Sequence, residues 1–381
     1  MENVVLEKRG RTLENDQRGL GGSRVVSIDA LRGFDMFWII GGGEVFTSLA
    51  EVWKHPVTQT IQCQLGHVEW EGFHFEDLIF PLFLFMVGVV LPFSVSRRRE
   101  RGQSLLGIYL HIVKRTVMLI LLGLVVNGLL RFDWPQMRWP GVLQRIGLCY
   151  FFAAVLVIHT KWRIQAVVAA AILLLYWAMM MLIPVPGYGR GVLTAEGCLS
   201  SYIDQQLIPG TLYYVYGDNE GLISTLPAVC TALLGVLAGH WLGSNRSGAR
   251  KAAGLTVAGL VCLITGYVWG LFFPIIKIIW TSSYVLYAGG WSLLLLALFY
   301  WLIDVKGYKK WAIFFVVIGM NPITIYFLQS FVSFDGIAEF FLVGISERAG
   351  LFKPLVLLCG VLMVKWLFLW FLYRRRIFFR I

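Results

Sequence analysis

Ten stretches of largely apolar residues, each long enough to cross a lipid bilayer, follow one another along this 381-residue chain. A helix needs about 20 such residues to span the hydrocarbon core. The chain is 58% hydrophobic and 14% charged, whereas about a quarter of the residues of soluble domains are charged. Because no β-barrel alternation is present, the sequence predicts an all-α polytopic membrane protein with spans at 28–50, 76–95, 108–130, 141–160, 163–183, 222–243, 253–273, 280–303, 311–333 and 351–373.

The basic residues are concentrated in every second loop between these stretches. The positive-inside rule places such loops in the cytoplasm. It predicts that both termini are cytoplasmic and that the loop of residues 51–75 lies on the opposite side. We expect a polar cytoplasmic tail, residues 1–27, and a single membrane domain, residues 28–381. Despite a net charge of +11, this distribution is a topology signal, and no nucleic-acid partner is expected.

A cluster of titratable residues stands at the start of the second span, in the stretch HVEWEGFHFEDLIFPLFLFMVG. His67 is the candidate base, because an imidazole titrates near neutral pH. Asp77 is the candidate carboxylate that would orient it. His74, three residues before Asp77, is a competing base, and a lone histidine in a loop is also commonly just solvated. Ionisable groups at the mouth of a membrane span indicate a functional site.

The first span carries charges and three consecutive glycines. Asp29, Arg32 and Asp35 share one broad helix face. They form either an ion network that fixes the helix end or, through Arg32, a contact to an anionic group. Gly41, Gly42 and Gly43, followed by Glu44, permit close helix approach or a break in the helix, and either would suit a ligand cavity.

Polar residues also interrupt the later spans. Arg145 in the fourth span and Lys365 in the tenth must be paired or face a cavity; an anionic ligand, or Asp29, Asp35 or Asp77, would serve Arg145. Asn321 precedes Pro322 in the ninth span, where the proline would break the helix and free backbone groups.

In the turn before the sixth span, Asp218 and Asn219 either contact a sugar or are simply solvated. The six cysteines have no spacing typical of a metal site, and no metal is expected. A disulfide between Cys63 and Cys198 remains an open alternative.

These segments resemble the bacterial relatives of heparan-α-glucosaminide N-acetyltransferase, within a wider group of transmembrane acyltransferases. The matching stretches occur in family order from the first span to the last. They are SIDALRGFDMF, GGG, HVEWEGFHFEDLIFPLFLFMVG, RWPGVLQRIGLCYF, YGDNEGLISTLPAVCTALLGVLAG, PIIKIIWTSSYV, DVKG, GMNPITIYF and YRRRIFFRI.

The resemblance implies an acetyl-CoA-dependent acetyltransferase of a bacterial inner membrane. The active-site histidine of the family's His-x-x-Trp-x-Gly motif falls on His67, with Trp70 at the tryptophan, and the neighbouring acidic residue falls on Asp77. Acetyl-CoA would enter from the cytoplasm and an amino sugar from the other side. A homodimer is implied by the resemblance alone. The expected acetyl-CoA contacts are Arg32, Gly41, Gly42, Gly43, Arg145, Asn321 and Lys365, and the expected sugar contacts are Trp70, Glu44, Asp218 and Asn219.

Two features separate this chain from the family pattern. The family has an asparagine just before the triple glycine, where this chain has Ile39 and Ile40. The loop before His67 is also longer here. As acceptor we expect a small amino sugar and not the end of a polysaccharide. Because some bacterial relatives are described as N-acetylglucosamine transporters, transport of amino sugars is the alternative function.

Overall fold

The computed structural model describes residues 25–379, so residues 1–24 of the predicted tail lie outside the described residues. The described chain is helical, with isolated bridges in place of a sheet, which confirms the all-α prediction. The helices are α1 (Val26–Phe37), α2 (Gly43–Val52), α3 (Pro56–Gln64), α4 (Glu76–Glu100), α5 (Leu105–Val126), α6 (Val142–His159), α7 (Trp162–Leu182), α8 (Leu199–Leu207), α9 (Thr225–Leu242), α10 (Gly248–Gly270), α11 (Ser282–Phe299), α12 (Ile313–Gly319), α13 (Pro322–Leu328), α14 (Phe334–Arg348) and α15 (Lys353–Arg374).

Within residues 25–379, eight helices are long and apolar enough to cross a membrane. They correspond to eight of the ten predicted spans, and the protein is a multi-pass membrane protein. Helices α5, α7, α10 and α15 are the least buried of the eight and present apolar side chains outward, as lipid-facing helices do. The total of ten crossings and the sides of the two termini remain predictions.

The first and ninth predicted spans are interrupted helices. A π-helical segment, Trp38–Gly42, joins α1 to α2, and Gly41 within it has a φ of 125°. The ninth span divides into α12 and α13 at Asn321, because Pro322 has no N–H to continue the ladder. The following segment, interpreted from sequence as a loop, forms α14, which packs on α15. Its four charged residues leave no apolar run of spanning length, so the sequence pattern did not identify this segment as a helix.

Helices α4 and α9 form the centre of the bundle and pack backbone against backbone. A Cβ on Gly88 would lie 1.9 Å from the carbonyl oxygen of Ala232, and one on Gly235 would lie 2.0 Å from that of Phe85. Small residues at such crossings allow two membrane helices to pack closely. This rigid pair carries the start of α4, where the candidate site lies.

The loops meet at two ends of the bundle. At one end, which we call the histidine end, the segments 53–75, 127–141, 183–224 and 271–281 contact one another through the bonds Gly72 N to Ile275 O, Trp70 Nε1 to Leu193 O and Thr211 N to Met137 O. At the other, the basic end, Val26 N bonds Asp304 and the Arg99 guanidinium bonds Ile158 O. The basic end carries the arginines and lysines that predict a cytoplasmic face, including Arg97, Arg98, Arg99, Arg101, Lys161, Arg163, Arg246, Arg250, Lys251, Lys306, Lys309, Lys310, Arg374, Arg375 and Arg376.

Candidate active site

The loop before α4 brings His67 over the start of that helix. Gly72 adopts a φ of 127°, which only glycine tolerates easily, and its N–H bonds the carbonyl of Ile275 at 2.9 Å. The adjacent bridge between Glu71 and Ile276 fastens this loop to the segment before α11. The pairing holds two loops together that lie about 200 residues apart in sequence.

Asp77, buried in the first turn of α4, is the hub of the site. Its Oδ2 accepts hydrogen bonds from the backbone N–H groups of His74 at 3.0 Å and Val68 at 3.4 Å. Its Oδ1 lies 3.0 Å from Nδ1 of His67 and 3.2 Å from Nζ of Lys277. A carboxylate at a helix N-terminus with these partners is favoured in its ionised form.

The backbone carbonyl of Asp77 is held by a side chain of α11. Pro81, four residues further along α4, has no N–H for the carbonyl of Asp77. The hydroxyl of Tyr284 donates to that carbonyl instead, at 2.8 Å. The backbone that carries the Asp77 carboxylate is therefore held in place by α11.

The His67 side chain remains half exposed, at 56%. Its Nδ1 faces Asp77, and within residues 25–379 no group hydrogen-bonds its Nε2. His74, the competing base, uses Nδ1 for the carbonyl of Gly66 at 2.9 Å, and its Nε2 lies 3.8 Å from Sγ of Cys63. Of the two histidines, His67 is therefore the better candidate base, because its Nε2 has no hydrogen-bond partner among the described residues.

Lys277 is a third charged member of the site that sequence analysis did not assign. Its Nζ lies 3.0 Å from Nδ1 of His67 and reaches Asp77 from the loop before α11. Burial lowers the pKa of its ammonium, and the neighbouring carboxylate of Asp77 opposes that effect. The only sequence signal was its place in the stretch PIIKIIW, because the pairing of Gly72 with Ile275 cannot be seen in the sequence.

Aromatic side chains line the loop beside this cluster. Trp70 donates Nε1–H to the carbonyl of Leu193 at 2.7 Å, and its ring meets Tyr216 edge-on with centroids 5.7 Å apart. Tyr216 in turn stacks on Tyr214 at 5.0 Å. Trp70, an expected sugar contact, therefore lies in an aromatic group at the histidine end.

Asp218 and Asn219 lie at the same end but within a closed network. The Arg138 guanidinium donates to the buried Asp218 carboxylate at 2.8 Å and also pairs with Glu220. Burial acts in the opposite direction, but the bonds from Arg138 prevail and lower the pKa of Asp218. Oδ1 of Asn219 is buried and has no hydrogen-bond partner in the described chain. Both hydrogen-bonding oxygens of Asp218 are thus occupied without a ligand.

Arg145 is buried inside the bundle, at 1% exposure. Its Nη2 donates to the carbonyl of Gly221 and the hydroxyl of Ser224, and its guanidinium lies over the Trp280 ring at 5.0 Å. None of the suggested acidic partners pairs with it among the described residues. Nε and Nη1 are buried and have no hydrogen-bond partner there, which leaves donors for a carbonyl or anionic group.

The triple glycine meets Lys365 at the break in the first span. Nζ of Lys365 donates to the carbonyl of Ile40 at 2.8 Å and lies 3.4 Å from the amide oxygen of Gln329. Gly42 is buried, whereas Gly43 has open space where a Cβ would be, and Glu44 is exposed in the first turn of α2. Lys365 thus donates a hydrogen bond to the carbonyl of Ile40, which the break in the helix leaves without a backbone donor.

Arg32 and Asn321 lie near the basic end, away from His67. Arg32 contacts Asp29 and the carbonyl of Gly319, each at 3.5 Å. The amide of Asn321 bonds the carbonyl of Ile377 and the N–H of Phe379, so it anchors the C-terminal segment. Among the described residues, the expected site positions therefore divide into the His67 cluster, the buried Arg145, the glycine break and this basic-end pair. Cys63 and Cys198 are free thiols.

Comparison with known proteins identifies relatives of this chain. Residues 24–195 match a family model described as a domain of unknown function, DUF5009. The chain is 29% identical over 317 residues to heparan-alpha-glucosaminide N-acetyltransferase of Mus musculus, covering 68% of this chain and 48% of the mouse protein. It is 27% identical over 364 residues to the Homo sapiens protein of the same name, covering 80% and 52%.

The chain spans about half the length of these curated relatives. The aligned portion nevertheless includes most of the helical bundle described above. By sequence, this membrane protein is a distant homologue of heparan-alpha-glucosaminide N-acetyltransferase over most of its own length.

Proposed function

We propose that this protein is an integral membrane acetyltransferase that moves an acetyl group from acetyl-CoA to the amine of a glucosamine-type sugar. The observation that carries the proposal is the hydrogen bond between Nδ1 of His67 and Oδ1 of Asp77, 3.0 Å long. It leaves Nε2 of a half-exposed imidazole directed away from the carboxylate. This is the arrangement of a base and its orienting carboxylate, in a homologue of enzymes that are named for N-acetyl transfer.

In the proposed reaction, acetyl-CoA supplies the thioester carbonyl. His67 accepts a proton at Nε2 from the sugar amine as the amine nitrogen bonds to that carbonyl and the carbon–sulfur bond breaks. Asp77 holds Nδ1–H and stabilises the imidazolium. The proton can then pass to the leaving thiolate. A two-step route, in which His67 itself carries the acetyl group, uses the same residues.

Arg145 fits the binding of acetyl-CoA within the bundle. Its Nε and Nη1 are buried donors without partners among the described residues, so a carbonyl or phosphate oxygen of the co-substrate would satisfy them. Arg32, Asn321 and Lys365 already contact protein groups. They would have to exchange these contacts to reach a ligand, so Arg145 is the first cofactor contact to test.

The proposed orientation follows from charge. The basic end would face the cytoplasm, with acetyl-CoA entering there, and the histidine end would face the periplasm of a bacterial inner membrane. The amino sugar would reach His67 from the periplasm. Reconstituted vesicles with acetyl-CoA on one side and glucosamine on the other test this arrangement directly.

The decisive experiment measures acetyl transfer by detergent-purified protein. Acetyl-CoA should raise the melting temperature, and incubation with glucosamine should give N-acetylglucosamine and free thiol in equal amounts. His67→Ala should still show the thermal shift but form no product. Wild-type protein that neither binds acetyl-CoA nor acetylates any amino sugar would overturn the proposal.

The interrupted helices favour one second candidate, a transporter of amino sugars or N-acetylglucosamine. Discontinuous membrane helices form the binding sites of many transporters. Here the breaks at Gly41 and Asn321 occur in neighbouring spans, because α1 and α12 pack against each other with Gly33 and Gly319 in backbone contact. Uptake of labelled N-acetylglucosamine into vesicles without acetyl-CoA would identify a transporter.

A further inference from the structure

Lys277 is held in place by the fold. The turn that carries it ends at Trp280, whose φ of 52° is unusual for a bulky residue and whose ring is fully buried. The N–H of Trp280 bonds the carbonyl of Lys277 at 2.9 Å, and Ile276 N–H bonds the Thr281 hydroxyl at 3.0 Å. A left-handed residue is kept only where the surroundings over-determine it, so this turn presents the lysine in a defined position.

The lysine and Asp77 compete for the same nitrogen of His67. Nδ1 lies 3.0 Å from both Lys277 Nζ and Asp77 Oδ1. An imidazole nitrogen either donates one hydrogen or accepts one, and the ammonium of Lys277 can only donate. If Nδ1 carries the hydrogen, it donates to Asp77 while Lys277 donates to the same carboxylate, and Nε2 is then the bare nitrogen.

Charge also acts on the protonation state of the imidazole. A cation beside His67 disfavours the imidazolium, and it also offsets the Asp77 carboxylate that would otherwise stabilise one. The other titratable groups near this pair, on the loop before α4, on α4 itself, on the loop before α9 and on α11, are His74, Glu76, Glu220, Tyr214 and Tyr284, and Asp35 of α1 lies beside Glu76. Lys277 is the cation among them that contacts both members of the pair.

We propose that Lys277 is a positioning residue that keeps His67 neutral, with the hydrogen on Nδ1 and the bare Nε2 exposed. The lysine acts on the imidazole through the shared Asp77 carboxylate and through its own charge. The role of Lys277 in catalysis rests on the proposed acetyl transfer, because His67 can accept the proton of the sugar amine only when its Nε2 is unprotonated. The protonation of His67 itself can be measured without that reaction.

The test is the pH dependence with which diethylpyrocarbonate modifies His67, followed by mass spectrometry of the peptide. The reagent attacks neutral imidazole, so the modification curve reports the neutral fraction. Lys277→Met and Lys277→Gln should move the midpoint of the His67 curve upward by about one pH unit or more, the scale for removing an adjacent charge. Lys277→Arg, which keeps the charge, should restore most of the wild-type curve.

Two controls accompany the variants. Lys54→Met removes an exposed lysine at the same end and should leave the curve unchanged, and His55 in each sample is an internal reference. Gel filtration and melting curves establish folding, and Lys277→Gln retains a donor for Asp77 if Lys277→Met does not fold. An unmoved midpoint in folded Lys277→Gln would overturn the proposal.

Nitrogen-15 NMR of histidine-labelled protein gives a second readout. Wild-type His67 should show a protonated Nδ1 and a bare Nε2 at neutral pH, and the opposite tautomer would contradict the proposed role. Neither measurement needs acetyl-CoA, so absence of acetyltransferase activity would overturn the proposed function and leave this result standing. If transfer does occur, the acid limb of kcat/KM should move upward in Lys277→Met by the same amount as the modification curve.

Discussion

The hydroxyl of Tyr284 donates to the carbonyl of Asp77 at 2.8 Å because Pro81, one turn later, cannot. The bond ties α11 to the first turn of α4, at the residue whose carboxylate lies 3.0 Å from Nδ1 of His67. The contact between α11 and α4 therefore helps to set the position of Asp77 beside His67, the candidate base.

Removing this hydroxyl should therefore weaken both stability and activity. Tyr284→Phe leaves a buried carbonyl without a donor, which costs about 1–3 kcal/mol. We expect a lower melting temperature and a several-fold lower rate of acetyl transfer. Tyr287→Phe is the matched control, since within residues 25–379 no hydrogen bond to its hydroxyl is found. Equal effects of the two substitutions would contradict this role for Tyr284.

Replacing His67 should abolish transfer while sparing the fold. The side chain is half exposed, so His67→Ala should change the melting temperature little, whereas loss of a general base lowers rates by about 10²–10⁴-fold. His74→Ala, assayed in parallel, should retain most activity because the His74 side chain bonds the loop carbonyl of Gly66. The reverse outcome would transfer the role of base to His74.

Apolar run length was sufficient to predict eight long helices, because a spanning helix must satisfy its own backbone in lipid. The glycines at 41–43 and Pro322 also indicated where the first and ninth spans break. The surroundings of the site could not be predicted in the same way. Lys277 reaches Asp77 only because Gly72 pairs with Ile275, a contact between distant loops that leaves no local pattern in either one.

Two residues of the triple glycine, Gly41 and Gly43, differ in how strictly the backbone requires a glycine. Gly41→Ala forces a β-carbon onto a φ of 125°, a strain of about 1–3 kcal/mol, and disturbs the carbonyl that Lys365 binds. Gly43→Ala meets open space in an ordinary helical conformation and should be neutral. Melting curves distinguish the two. If Gly43→Ala alone weakened acetyl-CoA binding at unchanged stability, the open space beside it would be part of the co-substrate site.

Asp204 should make stability depend on pH. Burial raises its pKa to about 6, above the ordinary value of a carboxyl group, so the folded protein holds this proton more tightly than the unfolded chain. The resulting stabilisation is complete below about pH 4 and is lost as the pH rises through about 6. Asp204→Asn is neutral throughout and its amide oxygen can still accept from Leu222 N–H.

The melting temperature of Asp204→Asn relative to wild type should therefore rise between pH 4.5 and pH 8, by about 2–4 °C. Asp133→Asn, an exposed carboxylate at the same end, is the control and should show no such trend. A difference that stays constant with pH would mean that Asp204 does not titrate between pH 4.5 and pH 8, contrary to a pKa of about 6.

Substitution of Asp218 tests whether this residue belongs to a structural ion-pair network or contacts the sugar. Its carboxylate accepts from Arg138 and from the backbone of Tyr213 and Glu220, so Asp218→Asn leaves the Arg138 guanidinium half buried with one fewer anionic partner. Breaking a fully buried pair costs about 3–5 kcal/mol; with Glu220 retained we expect about 1–2 kcal/mol, seen as a lower melting temperature.

Arg138→Met, which leaves both carboxylates unpaired, should destabilise the protein more than Asp218→Asn does. The KM for the amino sugar should change little in folded Asp218→Asn protein, because the network is complete without a ligand. A rise in that KM without a fall in melting temperature would instead assign Asp218 to the acceptor site. The same pair of measurements on Asn219→Ala tests the neighbouring amide, whose buried Oδ1 has no hydrogen-bond partner within the described residues.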